Sequence, residues 1–529
     1  MFWADKIAKE IADSGSFKPF WVDDMKTPSG FAHIGSLRGP LIHSIIYRAL
    51  KDIGKEVKFT FVFNDFDPVD ELSSELDSNF SKYLGYPLTL APSPSKEFSS
   101  LADYYANDLK KVMTDLGVES EFLSSWKMYH EGKFNEVIRI SLDNSEKIQD
   151  IYQKVSGSKK KEKGWLPFQV ICEKCSKLGT TRVYAWDGKE VSYKCEENMV
   201  SWAKGCGHEG KISPFDGTGK LPWKVDWAAH WKVIGVTIEG AGKDHASAGG
   251  SYDIAMTICD EIYKFPKPYK LPYEFFLLSG RKMSSSKGLG LKAHDFTNVL
   301  PSELGRFVFL RTYYKEQIEF NPQGTMAIPD LFDEYDKCWN EYNRGANSNL
   351  SRAFELAQIK KLPERISNLF IPRFRDIANF FQLRGPVSLE DRLLGMKGDK
   401  LTQSEKLILQ ERIVYVKYWL ENFAPKAFKI VEVAKLSGIK MPDLDKEEII
   451  YLSHVIDLVK NVNDPEKLQF ELYEKSKTLN INSKKAFSAI YKVILGKKFG
   501  PKAAWLLLDD NKQEHLSMLM EATKKNEKK

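Results

Sequence analysis

The seven residues Lys282–Gly288, KMSSSKG, place a cation, three consecutive hydroxyls, a second cation and a glycine in one short stretch. Such a loop offers side-chain and backbone donors to a polyphosphate, and Gly288 permits a positive φ where the backbone must turn. About 250 residues earlier, Pro28–Ser36, PSGFAHIGS, brings His33, Gly35 and Ser36 to the start of an apolar helical run. The free N–H groups of a helix's first turn favour an anion. Four of the six cysteines form a third group: Cys172-x-x-Cys175, then Cys195, then Cys206 with His208 close by. Thiolates on tight turns can converge tetrahedrally on zinc. Phosphate handling and zinc coordination are therefore the two chemistries these spacings suggest.

The elements that must position these residues are legible in part. Phe20–Asp24 is an apolar run ending in Asp23 and Asp24 and is predicted to be the first strand of a parallel sheet. After the Lys26–Gly30 turn, a helix is predicted from about Ile34 to Leu50, with Leu41, Ile45, Ile46 and Leu50 on one face. Val57–Phe63, VKFTFVF, is a second strand that runs into Asn64, Asp65 and Asp67. This βαβ unit sets polar residues at strand C-termini, where open α/β sheets bind ligands. Trp223, Trp227 and Trp231 recur at helical spacing, Trp231–Ile238 is predicted as a strand, and Glu239, Gly240, Gly242, Lys243, Asp244 and His245 follow it. A helix to about Phe265 comes next. Phe275–Leu278 is then expected to complete the sheet and deliver the KMSSSKG loop.

The cysteines are interleaved with short β-like runs, Thr181–Trp186 and Glu190–Lys194. The second half of the cluster is irregular, because ten residues separate Cys195 from Cys206, so either Cys206 or His208 can supply the fourth ligand. The other readings are a site that has lost its metal and a redox pair, although a redox CxxC ordinarily opens a helix after a strand. Four protein ligands leave no open coordination position, so a zinc here is structural.

A chain of 529 residues accommodates roughly three to five domains. A net charge of +6 permits nucleic acid binding through local patches without demanding it. Ser156–Lys163, SGSKKKEK, suits either a solvated loop or a contact to a phosphate backbone. The N-terminus has an amphipathic helix pattern without an apolar signal region, no stretch has the length to span a membrane, and the few cysteines suit a reducing cytoplasm. After Leu291 the chain is mostly helical pattern, with lysines on the outer faces of its last 130 or so residues.

The PSGFAHIGS and KMSSSKG stretches resemble the HIGH and KMSKS elements of class I aminoacyl-tRNA synthetases, which hold ATP from opposite sides. The whole chain resembles class I lysyl-tRNA synthetase. That resemblance implies an α/β fold: a Rossmann-type doubly wound parallel sheet with a zinc-bearing insertion, followed by an all-α C-terminal region. It implies a catalytic domain from 1–90 and 221–292, a connective insertion from 91–220, a stem-contact-like linker from 293–365 and an anticodon-binding region from 366–529. The substrates implied are ATP with Mg2+, lysine and tRNA(Lys), beside a structural Zn2+ on Cys172, Cys175, Cys195 and Cys206. By resemblance, His33 and Lys282 are catalytic. His33, Gly35, Ser36, Gly242, Asp244, His245, Lys282, Ser284, Ser285, Ser286 and Lys287 surround ATP.

Two departures stand out: the last His of HIGH is Ser36 here, and the second Lys of KMSKS is Ser285, with Lys287 the nearest replacement. A glutamyl- or glutaminyl-type enzyme, or a small-molecule nucleotidyltransferase with an HxGH-type motif, shares parts of the pattern. The nucleotidyltransferase leaves over 200 residues of helical C-terminal region without a role. Asp23 is expected to choose lysine. The turn TPSGFAHIG aligns with the SPTGxxHxG turn of glutamyl enzymes, which carry a carboxylate-binding arginine at the position of Asp23. Its inversion to an acid suits an ε-ammonium. Thr27, Asp65, Trp223 and His245 are expected to complete the lysine site.

Overall fold

The computed structural model describes residues 1–159, 164–282, 291–383, 388–429 and 442–527. The chain forms two compact units, Met1–Phe320 with Arg344–Glu364, and Asn321–Asn343 with Arg365–Lys529. The segment 293–365, expected as a linker domain of its own, is divided between them.

The first unit is organised by a five-stranded sheet in the spatial order Tyr269–Tyr273, Ile238–Gly242, Phe20–Lys26, Val57–Phe63, Glu121–Ser124. Every neighbouring pair is parallel. The chain starts at the central strand, builds outward to one edge, then returns to build the other side. The switch in direction therefore lies between Phe20–Lys26 and Ile238–Gly242, and the crevice beyond their C-terminal ends is where such sheets hold ligands. Val57–Phe63 is rich in aromatic and β-branched residues because helices cover both faces of a parallel sheet. Helix Arg38–Asp52 buries Leu41, Ile42, Ile45, Ile46, Ala49 and Leu50 completely, and it packs on the first two strands. Gly39 lets that helix approach closely: a Cβ there would lie 2.7 Å from Asp24 Oδ2 and from the Tyr273 hydroxyl.

Two strand expectations are corrected. Trp231–Ile238 is not a strand. Helix Trp223–Ile234 carries all three tryptophans, Gly235 ends it at a φ of 93°, and the strand is Ile238–Gly242. The helix persists because its indoles stack along one face: Trp223 and Trp227 lie 4.8 Å apart, and Trp227 and Trp231 5.7 Å. Nor does Phe275–Leu278 join the main sheet, whose strand there is Tyr269–Tyr273. After Tyr273, Glu274 N–H donates to Tyr314 O and Ile318 N–H donates to Phe275 O, which draws the chain into a separate sheet. Phe276–Leu278 pairs there with Arg281–Lys282 and Ile318–Phe320.

The expected insertion, 91–220, carries helices Leu101–Asp115, Ser125–His130, Asn135–Asp143 and Ser145–Ser156 and a three-stranded antiparallel sheet, Thr181–Trp186, Val191–Cys195 and Glu209–Ile212, while its strand Glu121–Ser124 belongs to the main sheet. It is tied to the catalytic sheet by a two-stranded ribbon, Gln169–Val170 against Gly219–Lys220.

The second unit is helical throughout its described residues. Capping boxes at Thr402–Glu405 and Asp445–Glu448 start two of its longest helices, Gln403–Asn422 and Lys446–Asn461. The buried Arg412 guanidinium donates to both oxygens of Asp336 and to Pro372 O, locking helix Gln403–Asn422 onto Ala327–Asn343. Among the described residues, no helix is long and apolar enough to cross a membrane.

Candidate active site

Two cavities open at the C-terminal ends of the central strands. The larger, about 570 Å³, is lined by residues that include Thr27, Asp67, Lys220, Trp223, Asp226, Trp227 and Glu239. The smaller, about 270 Å³, is lined by residues that include His33, Gly35, Ser36, Arg38, Gly39 and Asp244. Asp24, Met25, Lys26, Gly242, His245 and Tyr273 line both, so the cavities meet along the edge of Phe20–Lys26.

The smaller cavity gathers the residues expected around a nucleotide. His33 precedes a single 3-10 turn, Ile34–Leu37, and its Nδ1 accepts a hydrogen bond from Ser36 N–H at 3.2 Å. Gly242 and Asp244 follow from the next strand, and the mouth is closed by Tyr273–Phe276. Lys282 ends the short strand Arg281–Lys282, while Ser284, Ser285, Ser286 and Lys287 lie outside the described residues.

The larger cavity brings together Thr27, Trp223 and His245 of the residues expected around lysine, together with Gly242 from those expected around ATP, but its acids differ from those anticipated. Asp23 does not line it. Alternation puts Asp23 on the opposite face from Asp24, the face it shares with Glu239, but unlike Glu239 it does not reach the cavity wall. Asp23 is fully buried, and its Oδ1 accepts the Thr60 hydroxyl. Burial, reinforced by the charge of Glu239, raises its carboxyl well above the usual range. A group so placed favours the neutral acid and is a poor partner for a ligand's ammonium.

Asp24 faces both cavities. Its Oδ1 accepts Met25 N–H at 2.8 Å; its buried Oδ2 makes no hydrogen bond among the described residues and lies 3.4 Å from His43 Nδ1. Asp65 is also engaged elsewhere. It accepts from the Ser124 hydroxyl at 2.5 Å and from Trp126 N–H at 2.8 Å, which caps helix Ser125–His130. Two residues further on, Asp67 takes the place expected for it in the cavity wall.

Glu239 supplies a further acid. Trp227 Nε1 donates to its Oε1 at 2.8 Å and Trp231 Nε1 to its Oε2. Burial pushes this carboxyl up to about 8 despite the two indole donors. Behind it, Gly240 N–H donates to His43 Nε2 at 2.7 Å, which puts the ring proton on Nδ1, 2.8 Å from Gly39 O. Lys26 lines both cavities, and burial lowers its ammonium's pKa. Asp24, Lys26, Asp67, Asp70, Lys220, Asp226, Glu239 and Tyr273 are among the lining residues absent from the expected site. The one advance signal for most of them is position at or just past a strand's C-terminal end.

The four cysteine Sγ atoms lie within 4.8 Å of one another. Cys172 and Cys206 are 3.6 Å apart, and Cys175 and Cys195 3.7 Å. A tetrahedron with zinc–sulfur bonds of ~2.3 Å has edges of about 3.8 Å, so the thiols fit zinc. His208 is not part of the cluster; its backbone carbonyl accepts Cys195 N–H at 2.8 Å.

With this geometry, comparison with known proteins becomes decisive. Residues 1–360 match the family described as tRNA synthetases class I (K). The chain belongs to that family. It is similar to the lysine–tRNA ligase of Methanocaldococcus jannaschii, with 34% identity over 95% of this chain and 96% of that protein. The corresponding ligase of Archaeoglobus fulgidus shares 32% identity over 96% and 97%. That of Methanosphaera stadtmanae shares 31% over 96% and 97%. These relatives extend beyond the family match at residue 360 and through the helical second unit. Among solved structures, a glutamate tRNA ligase from Elizabethkingia meningosepticum aligns over 96% of this chain and 99% of that one, at 10% identity and a TM-score of 0.38. So weak a likeness adds nothing to the family assignment.

Proposed function

We propose that this chain joins lysine to the 3′-terminal ribose of tRNA(Lys) in two steps on one site. In the first, the lysine carboxylate attacks the α-phosphorus of ATP, the bond to the β-phosphoryl oxygen breaks, and pyrophosphate leaves. In the second, a terminal ribose hydroxyl attacks the acyl carbon of lysyl-adenylate, loses its proton, and AMP departs.

The observation that carries the proposal is the pair of cavities meeting at Asp24, Lys26 and Gly242. ATP occupies the smaller one, with its phosphates toward His33, Gly35 and Ser36; by the resemblance to KMSKS, Lys282 and the serine run, which lies outside the described residues, supply further phosphate donors. Mg2+ travels with the phosphates as part of that substrate. Lysine occupies the larger one, so its carboxylate meets the α-phosphate where the cavities join. Alignment there, and stabilisation of charge on the departing pyrophosphate, constitute the catalysis. Lys26 suits the lysine carboxylate or the α-phosphate, because it faces both compartments.

The charge of the larger cavity selects the amino acid. Asp24, Asp67, Asp70, Asp226 and Glu239 line it, and among the described residues no arginine does. A glutamate side chain would bring one more negative charge into a partly dehydrated wall of acids, where like charges repel strongly. An ε-ammonium finds a charge-assisted partner instead. Asp24, rather than Asp23, is the acid placed to supply it, with Thr27, Trp223 and His245 along the alkyl stem.

Zinc on Cys172, Cys175, Cys195 and Cys206 would clamp the insertion and take no part in the reaction. The helical second unit, including 366–529, is the part available to read the tRNA, and the work is that of the cytoplasm. Incubating the protein with ATP, total tRNA and all twenty amino acids, then identifying the amino acid released from tRNA by mild base, tests the function. Lysine is expected; any other amino acid as the sole product would refute it.

A further inference from the structure

Lys220 is a fully enclosed cation in the wall of the larger cavity, its side chain only 3% exposed. Its Nζ lies 2.6 Å from Asp67 Oδ1 and 3.0 Å from Asp226 Oδ2. Each acid has a second donor. The Thr27 hydroxyl donates to Asp67 Oδ2 at 2.6 Å, and the Tyr129 hydroxyl donates to Asp226 Oδ1 at 2.5 Å. The Tyr129 oxygen in turn accepts Leu221 N–H at 3.2 Å. A continuous polar chain thus runs from Thr27, at the end of the central strand, to helix Ser125–His130. Lys220 is its middle link. It stands opposite Gln169 in the ribbon that leads to the cysteine cluster, and Gln169 lines the same cavity.

We propose that Lys220 is a positioning and specificity residue of the amino-acid subsite. By neutralising Asp67 and Asp226, it fixes the Thr27 hydroxyl and leaves Asp24, whose Oδ2 makes no hydrogen bond among the described residues and has only the His43 ring 3.4 Å away, as the carboxylate for a ligand ammonium. The proposal deepens the lysine assignment and rests on it. Five carboxylates line the cavity: Asp24, Asp67, Asp70, Asp226 and Glu239. A lysine zwitterion carries a single net positive charge. With Asp67 and Asp226 uncompensated, two further buried acids would compete for its ammonium groups and draw the alkyl chain out of register. A buried carboxylate that loses its partner must find another cation or take up a proton. Burial opposes the Lys220 charge, but the two acids more than offset that and raise its pKa, so the resident ammonium stays charged throughout the working range.

The test uses the full chain with tRNA, ATP and lysine in pyrophosphate exchange. If the parent protein does not turn over lysine, it is the functional assignment that fails. If it does, Lys220→Met is expected to raise the lysine KM by about 10²-fold while the ATP KM stays within about twofold. Adding Asp67→Asn removes one unpaired charge and keeps an oxygen for Thr27, so the double variant is expected to regain about tenfold of the lost lysine KM. An unchanged lysine KM in the single variant overturns the proposal. So does an equal rise for lysine and ATP, or a double variant no better than the single. Should Lys220→Met fail to fold by circular dichroism, the double variant is read directly against the parent. A lysine KM within about tenfold of the parent then supports the role, and a loss of about 10²-fold overturns it.

Discussion

Asp23 and Glu239 stand opposite each other on adjacent parallel strands, both fully buried on one face of the sheet. Burial raises both carboxyls; the charge of Glu239 adds to the rise at Asp23, and that of Asp24 to the rise at Glu239. In the unfolded chain both ionise in the ordinary carboxylate range. As pH rises from there toward about 8, the unfolded state releases protons that the folded state keeps, so the pair's contribution to stability falls across that window. Asp23→Asn removes one of the two acids. Its thermal midpoint is expected to exceed the parent's by more at pH 8 than at pH 5. Paired melting curves at the two pH values measure this, and equal differences would mean that the Asp23 carboxyl is not raised in the folded state.

Asp24 and Asp23 should respond oppositely to the same amide substitution. Asp24→Asn is expected to raise the lysine KM by ~10²–10³-fold with little change in ATP affinity, because its Oδ2, which makes no hydrogen bond among the described residues, is the acceptor proposed for the ammonium. Asp23→Asn should leave the lysine KM within about threefold, since that acid does not line the cavity and burial disfavours its charged form. Steady-state kinetics on both variants decide it, and the reverse pattern would restore Asp23 to the recognition site.

This pair also shows how far the sequence could be followed. That adjacent strand residues alternate in direction is readable from sequence alone. Which direction faces the cavity is not, because helices bury both faces of a parallel sheet and Asp23 and Asp24 have identical chemistry. Val57–Phe63 was legible to the residue, since its aromatic and β-branched run admits no other element. Trp231–Ile238 misled because a short apolar run suits a helix end as well as a strand. The outlying Glu239 that holds Trp227 and Trp231 cannot be seen from their spacing. Lys220 was invisible for a different reason: its partner Asp67 is 153 residues away, and only the fold brings them together.

The phosphate side carries its own expectation. Lys282→Ala should slow adenylate formation by ~10²–10³-fold while barely changing ATP binding, as removal of a donor that acts on developing charge does. His33→Ala should behave in the same way. Rapid-quench measurement of lysyl-adenylate, beside equilibrium ATP binding, separates the two quantities. A raised ATP Kd with an unchanged rate would make these residues simple binding contacts.

For the cysteine cluster, one zinc per chain is expected in protein purified under reducing conditions. Cys206→Ser should lose it and His208→Ala should keep it, because the four sulfurs converge and the imidazole is outside their cluster. Metal content by elemental analysis reads this directly. Chelation should lower the thermal midpoint, since binding to a folded site adds to its stability. Absence of zinc in freshly reduced protein would contradict the structural role.

The most direct measurement of the lysine assignment is ATP–pyrophosphate exchange with each of the twenty amino acids, run with and without total tRNA. Exchange supported by lysine and by no other amino acid is the expected result. Exchange with glutamate or glutamine in place of lysine would contradict the recognition of an ammonium group by Asp24.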